Sequence, residues 1–124
     1  MNSKMGKSMD GGATAATALI CGKQLLSANC GDTRVVLCHA GKAKQLSVDH
    51  KAGLESEKDR IHSLGGYVTM TGIWRVGGLL AVSRAFGNRT LKSWVTADPH
   101  VEVYTYVLCQ KPHILKLLSL KNVA

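Results

Sequence analysis

The residue with the clearest potential for chemistry is Asp32, which lies in the sequence Gly31-Asp32-Thr33-Arg34. It places a carboxylate at a tight turn between two apolar runs, residues 24–30 and 34–39. An aspartate at such a turn either caps the turn or supplies an oxygen ligand to a divalent cation. A cation site needs further carboxylates, and outside the predicted helix these are Asp10, Asp49, Asp98 and Glu102.

Other polar residues near this turn allow weaker chemical interpretations. Arg34 follows Asp32 by two residues, so on a strand the two share a face and are predicted to form an ion pair. Asp49 and His50 could act as an acid–base pair, but no nucleophile is placed beside His50. We expect Asp49 to cap the approach to the following helix instead. Ser83 lies in an apolar run without a histidine to activate it, so we interpret it as structural.

Trp74 is a candidate binding residue. It lies between Ile73 and Arg75 in a glycine-rich stretch, residues 72–88, which we predict to be irregular. An exposed tryptophan on a loop is a common anchor for a protein partner. The alternative is that Trp74 packs on its own sheet, and the sequence leaves both open.

The elements that must position these residues follow from turn signals and periodicity. Glycine-containing turns separate four short apolar runs, which predicts an antiparallel meander of strands at 13–21, 24–30, 34–39 and 43–46. Residues 52–66 change to a helical period, with Leu54, Ile61 and Leu64 on one face and Glu55, Glu57 and Asp59 expected in solvent. Further predictions are a strand at 67–70, a buried segment at 79–83, a helical turn at 89–94, a strand at 100–108 and a helix after Pro112. The predicted fold class is therefore α/β (α+β), with antiparallel β-sheets and flanking helices.

Composition excludes several classes of function. The chain has 124 residues, a net charge of +8 and a hydrophobic fraction of 45%. Its basic residues are dispersed and not interleaved with aromatic residues, which argues against nucleic-acid binding. No apolar stretch is long enough to span a membrane. The four cysteines, Cys21, Cys30, Cys38 and Cys109, form no CxxC pair, which favours buried free thiols in a reducing compartment. We expect a monomer that is located in the cytoplasm, the nucleus or both.

Four stretches resemble one family, the plant-type type 2C protein phosphatases, and they occur in that family's order. They are DGGATA at 10–15, ANCGDTRVVLCHAGKAKQLSVDHK at 28–51, IHSLGGYV at 61–68 and WRVGGLLAVSRAFGNRTLKSWVTADPHVE at 74–102. The resemblance implies an incomplete form of a four-layer αββα sandwich. It also implies hydrolysis of phosphoserine and phosphothreonine by a water activated by Mg²⁺ or Mn²⁺, with phosphorylated proteins or protein kinases as partners.

The same resemblance implies roles for individual residues. Asp32 matches an aspartate near the family's metal cluster, and Trp74 and Arg75 match a flap that contacts substrates and regulators. Residues 1–9 are predicted to be a disordered lead-in, residues 10–105 a partial phosphatase domain and residues 106–124 a divergent tail. The family's other acidic segments have no counterpart here, so we assign no catalytic residue and expect a truncated form with little or no activity. The alternative is a non-catalytic binding module that competes for partners through the flap around Trp74.

Overall fold

The computed structural model describes residues 10–39 and 41–105, together with the backbone of residues 114–118 and 122–123. The predicted lead-in and most of the predicted tail, including Cys109, lie outside the described residues. The first strands are Gly12–Ala13 (β1), Ala15–Cys21 (β2), Gln24–Cys30 (β3), Arg34–His39 (β4) and Lys42–Gln45 (β5). A helix, Glu55–Ser63 (α1), precedes the strands Val68–Thr71 (β6), Ile73–Val76 (β7) and Phe86–Gly87 (β8) and the 3-10 turn Arg89–Leu91. The later strands are His100–Thr105 (β9), Ile114–Leu118 (β10) and Asn122–Val123 (β11).

The strands form antiparallel sheets, so the predicted fold class is confirmed. The two larger sheets each have three strands of four or more residues, in the orders β2-β3-β9 and β10-β4-β5. The predicted four-stranded meander is wrong, because β3 and β4 belong to different sheets. The chain crosses between them at residues 31–33, where Gly31 has a φ of 95°. This left-handed backbone turns the chain out of the first sheet, so the two strands meet face to face instead of edge to edge.

The apolar side chains of the described residues form two cores. Between the two larger sheets lie Leu25, Val35, Leu37 and Leu46, each at most 4% exposed. Beneath the helix and the β6–β7 hairpin lies a second cluster, which includes Ile61, Val76, Leu80, Val82 and Val95. The turn that carries Asp32 joins β3 to β4, and both of these strands contribute side chains to the first core.

The helix is shorter than predicted, and it buries a different face. It spans Glu55–Ser63 instead of 52–66, and Leu54 and Leu64 are 39% and 50% exposed. Ile61 is fully buried, but the second buried side chain of the helix is Glu57. The expectation that Glu57 lies in solvent is therefore wrong, because two arginines described below compensate its charge.

The predicted helix after Pro112 is also wrong. Residues Ile114–Leu118 form strand β10, which pairs antiparallel with β4 and sets Leu115 opposite Leu37. An added strand satisfies backbone hydrogen-bonding groups along the edge of β4 that β5 does not cover. The structure also corrects the prediction for the thiols: Cys30 is buried, whereas Cys21 is exposed, and neither forms a disulfide. In the described part of the chain, no helix has the length and apolarity needed to cross a membrane.

Candidate metal site and substrate groove

Asp32 lies at the crossing between β3 and β4, on a turn whose backbone is tightly held. Its neighbour Gly31 donates its N–H to Nδ1 of His50 over 3.1 Å. On the other side, the hydroxyl groups of Thr33 and Thr14 hydrogen-bond to each other. The Oδ1 atom of Asp32 is buried and has no hydrogen-bond partner among the described residues. A buried carboxylate oxygen without a donor is costly, and this is the kind of atom that a cation stabilises.

The predicted ion pair between Asp32 and Arg34 is wrong, because Arg34 binds Asp49. The Nε atom of Arg34 donates to Oδ1 of Asp49 over 2.8 Å, and Nη2 donates to Oδ2 over 2.5 Å. The Arg34 hydrogen bonds hold the pKa of Asp49 below its usual value. Asp49 is therefore not a helix cap, and helix α1 begins after Leu54 without a side-chain cap. A bidentate bond across two segments satisfies both charged groups better than a diagonal contact along one strand.

Trp74 lies on a regular β-hairpin, so the prediction of an irregular stretch is wrong at this point. Strands β6 and β7 pair with Met70 opposite Trp74, and Gly72 makes the turn with a φ of 79°. Trp74 is 38% exposed. The ammonium of Lys58 lies 4.0 Å from the centre of its indole ring. Trp74 is thus neither fully packed nor fully exposed, because one side of the ring is held by helix α1.

Arg75, the second predicted flap residue, stabilises the segment that follows the hairpin. Its Nη1 atom donates to the carbonyl oxygen of Leu79 over 2.7 Å. Leu79 is 66% exposed, whereas Leu80, Val82 and Ser83 are buried. The predicted buried segment at 79–83 is therefore mostly correct, and Ser83 lies in the core as expected. The roles of Trp74 and Arg75 in partner binding stay predictions.

A groove joins the turn and the hairpin. It has a volume of about 610 Å³, and its polar end is formed by Asp32, Asp49 and Lys51. Its apolar wall includes Leu54, Met70, Ile73 and Trp74. The structure therefore brings Asp32 and Trp74 into one groove, although they are far apart in the sequence. A charged end next to an apolar wall suits a ligand that carries a charged group on a partly apolar chain.

Two of the other carboxylates, those of Asp10 and Glu55, have partners elsewhere. The Asp10 carboxylate accepts hydrogen bonds from the hydroxyl of Thr90 and from the backbone N–H groups of residues 89 and 90. These bonds, with the Thr90 hydroxyl as the largest cause, lower the pKa of Asp10. Glu55 binds Lys58 at 3.1 Å on the helix surface. Among the described residues, no group of three or more histidine, cysteine, aspartate or glutamate side chains is arranged to hold a metal ion. The metal-binding role of Asp32 stays a prediction.

Glu57 is an important residue that the sequence interpretation missed. It is 3% exposed, and its carboxylate accepts hydrogen bonds from Arg84 at 2.6 Å and from Arg60 at 2.9 Å. Burial alone would raise the pKa of Glu57, but these hydrogen bonds outweigh burial and lower the pKa to about 2. The network fastens helix α1 to the segment around Arg84. One signal could have found it, because Glu57 and the buried Ile61 are four residues apart and share a helical face.

His50 and Asn29 were missed for a different reason. Both side chains are 2% exposed, and both hydrogen-bond to Gly31, next to Asp32. Burial lowers the pKa of His50, which favours the neutral imidazole that can accept a hydrogen bond. The sequence interpretation considered His50 only as a base and not as a support for the turn.

Comparisons with known proteins agree on one family. The family profile described as "Protein phosphatase 2C" matches residues 1–108. The chain is 49% identical over 102 residues to Probable protein phosphatase 2C 59 of Arabidopsis thaliana, covering 82% of the chain and 33% of that protein. It is 55% identical over 93 residues to Probable protein phosphatase 2C 52 of Oryza sativa subsp. japonica, covering 75% of the chain and 19% of that protein.

Solved structures give the same result for the fold. A C. elegans sex determining protein superposes with a TM-score of 0.76 at 25% identity, covering 80% of this chain and 25% of that one. A phosphatase from a pathogenic strain of Toxoplasma gondii superposes with a TM-score of 0.60 at 35% identity, covering 65% of this chain and 28% of that one. The chain thus spans 33% of the length of the Arabidopsis relative and 19% of the length of the rice relative.

Proposed function

Because the chain belongs to the protein phosphatase 2C family, we propose that it forms the part of a metal-dependent protein serine/threonine phosphatase that borders the metal centre and the substrate groove. The substrates would be phosphoserine and phosphothreonine in proteins, and the cofactors Mg²⁺ or Mn²⁺. The single observation that carries the proposal is the buried Oδ1 of Asp32, which lacks a donor among the described residues and lies at the polar end of the groove.

The residues of the groove could supply one ligand of such a metal site. Asp32 would hold the ion through a carboxylate oxygen, which is the ligand that both cations prefer. A bound ion of this kind lowers the pKa of its water and offsets charge on a phosphoryl group. The chain's own contribution is to keep Arg34 on Asp49. Lys51, whose ammonium is 3.6 Å from the Asp49 carboxylate, lies at the same polar end of the groove, where its positive charge would attract phosphate.

We propose that the 124 residues alone have no metal-dependent phosphatase activity. A two-metal centre shares several carboxylates, and here Asp10, Asp49 and Glu57 are each engaged by other partners. The further ligands would come from segments of the longer relatives that this sequence does not match. The assay is hydrolysis of p-nitrophenyl phosphate and a phosphothreonine peptide by the purified chain with Mn²⁺ or Mg²⁺, with Asp32→Ala as the control. Metal-dependent turnover that Asp32→Ala abolishes would contradict this part of the proposal.

A chimera tests the positive part of the proposal. The matched 102 residues replace their counterpart in the Arabidopsis relative, after that relative's own activity has been measured with Mn²⁺. We expect an active chimera whose activity falls by roughly tenfold or more on Asp32→Ala. The control Asp59→Ala changes an exposed helical carboxylate and should leave the activity unchanged. A folded but inactive chimera, next to an active relative, would refute the proposal.

A second candidate function is a non-catalytic binding module, and the half-exposed Trp74 on the groove wall favours it. In that role the chain would compete with an active relative for a phosphorylated protein or a kinase. The test measures whether the chain inhibits the relative's dephosphorylation of a phosphoprotein. Trp74→Ala should weaken inhibition by about 2 kcal/mol, roughly thirtyfold. Leu79→Ala is the matched control, because Leu79 is exposed and apolar but does not line the groove; equal effects of the two variants would rule out an anchor at Trp74.

A further inference from the structure

The backbone of Gly31 is held at both its N–H and its carbonyl oxygen by buried residues. Its N–H donates to Nδ1 of His50 over 3.1 Å, and its carbonyl oxygen accepts the backbone N–H of His50 over 3.0 Å. The side-chain amide of Asn29 donates to the same oxygen over 3.2 Å. Three hydrogen bonds therefore converge on the residue that directly precedes Asp32.

The two clamping residues are themselves firmly anchored. The Asn29 amide donates to the carbonyl oxygen of Val48 over 2.6 Å and accepts the N–H of Val48 over 3.3 Å. The carbonyl oxygen of His50 accepts the N–H of Ser83 over 2.9 Å. The clamp thus ties the end of β3 to residues 48–50 and to the segment at residue 83. Polar side chains that are nearly fully buried with all these bonds form a rigid frame.

Close contacts around Gly31 leave this turn few alternative conformations. A Cβ atom at residue 31 would collide with the side chain of Thr14, and the φ of 95° already disfavours any residue except glycine. Thr14 also bonds to Thr33 on the far side of Asp32. The backbone on both sides of Asp32 is therefore fixed by contacts that do not involve its own carboxylate.

We infer that His50, assisted by Asn29, is a positioning residue that sets the orientation of the Asp32 carboxylate through the Gly31 peptide. The inference rests on the proposed function to the extent that Asp32 is a metal ligand, and it adds a role for two residues that do not touch the ion. His50 does this as a neutral acceptor on Nδ1, because burial lowers its pKa. A ligand held in advance loses less conformational entropy on binding than a mobile one.

The variants follow from the geometry of the acceptor. In His50→Asn the side-chain oxygen Oδ1 occupies nearly the position of the imidazole Nδ1, so the bond from Gly31 can be kept. His50→Leu fills a similar volume without any acceptor. Asp32→Asn removes the charge of the proposed ligand and reports on metal contact alone.

Nuclear magnetic resonance of the 124-residue chain supplies two separate readouts. The first is the χ1 rotamer of Asp32 from three-bond couplings, without metal: we expect one rotamer in the wild type and in His50→Asn, and averaging over rotamers in His50→Leu. The second is broadening of the amide signals of residues 31–33 by Mn²⁺. It should be equal in wild type and His50→Asn, at least about threefold weaker in His50→Leu, and lost in Asp32→Asn.

The outcomes separate the two ideas. An unchanged single Asp32 rotamer in a folded His50→Leu protein would overturn the positioning role, even if Mn²⁺ still broadens the signals. Broadening that does not depend on Asp32 would refute the metal role in the proposed function, while the rotamer result would still decide the positioning role. If His50→Leu does not fold, the positioning role is tested instead in the wild type, by the scalar coupling across the hydrogen bond between the Gly31 nitrogen and His50 Nδ1. Its absence would overturn the inference.

Discussion

Glu57 should contribute a large, pH-dependent share of the stability of this chain. Its carboxylate is almost fully buried between two guanidinium groups, with Arg84 at 2.6 Å and Arg60 at 2.9 Å. Burial alone would raise its pKa, yet the hydrogen bonds from Arg84 and Arg60 lower the pKa from 4.5 to about 2. The folded state therefore holds Glu57 ionised at a pH where the unfolded chain has already bound a proton.

The magnitude follows from the shift. A change from 4.5 to about 2 is about 2.5 pKa units, and each unit corresponds to about 1.4 kcal/mol. The ionised Glu57 therefore contributes about 3 kcal/mol to the free energy of unfolding. Because the pKa is lower in the folded state, the contribution is fully present above about pH 4.5. It is lost as the pH falls through about 2.

The assay compares urea unfolding of the wild type and Glu57→Gln from pH 7 down to pH 2. At pH 7 we expect the variant to be about 3 kcal/mol less stable, and the difference should shrink as the pH falls below 4.5. Taking the difference between the two proteins cancels the titration of the other groups. Glu55→Gln is the matched control on the same helix: Glu55 binds Lys58 at the surface and should cost less than about 1 kcal/mol. A loss at pH 7 no larger than that of Glu55→Gln, or a difference that does not vary with pH, would refute the reasoning.

Two further predictions concern the hairpin and the 3-10 turn. A Cβ atom at Gly53 would lie 2.5 Å from Cδ1 of Trp74, so Gly53→Ala should displace the indole ring, change the tryptophan emission and cost roughly 1–3 kcal/mol; Gly11→Ala, with open space at its Cβ, should do neither. Unchanged emission in Gly53→Ala would mean that the ring does not lie over residue 53. Asp10 accepts the backbone N–H groups of residues 89 and 90, so Asp10→Ala should lower the stability to urea more than Asp59→Ala, which removes an exposed carboxylate of helix α1; equal effects would exclude this capping role.

The sequence predicted most of the strands because their signals are local. Glycine turns and apolar runs located β2 to β5, and Gly22 and Gly41 have the positive φ values that such turns require. The sheet arrangement could not be predicted in the same way. The apolar pattern of β4 fits equally well beside β3 or facing it, and only the Leu25–Val35 core distinguishes the two. The β10 strand depends on the uncovered edge of β4, which its own leucine spacing does not show.

The candidate site was predicted in part. Asp32 and Trp74 stood out because their chemistry is visible in the sequence, and the structure places both in one groove. Glu57 did not stand out, because it lies in a run of charged helical residues and its main partner, Arg84, is 27 positions away. His50 was likewise judged by the chemistry it could perform. Its actual contact is with a backbone N–H 19 positions earlier, and no local pattern predicts that pairing.

The distribution of charge around Asp32 supports its proposed role as a metal ligand. The chain carries 16 basic and 8 acidic residues, so every carboxylate could in principle find a basic partner. The basic side chain nearest in sequence is Arg34, and its bidentate bond to Asp49 commits its Nε and Nη2 donors. The clamp on Gly31 then holds the Asp32 backbone by neutral hydrogen bonds only. Among the described residues Asp32 forms no salt bridge, because the nearest arginine is bound to Asp49. Under the proposed function, this arrangement leaves the Asp32 carboxylate to a metal ion, whereas a structural ion pair would compete with the ion for it.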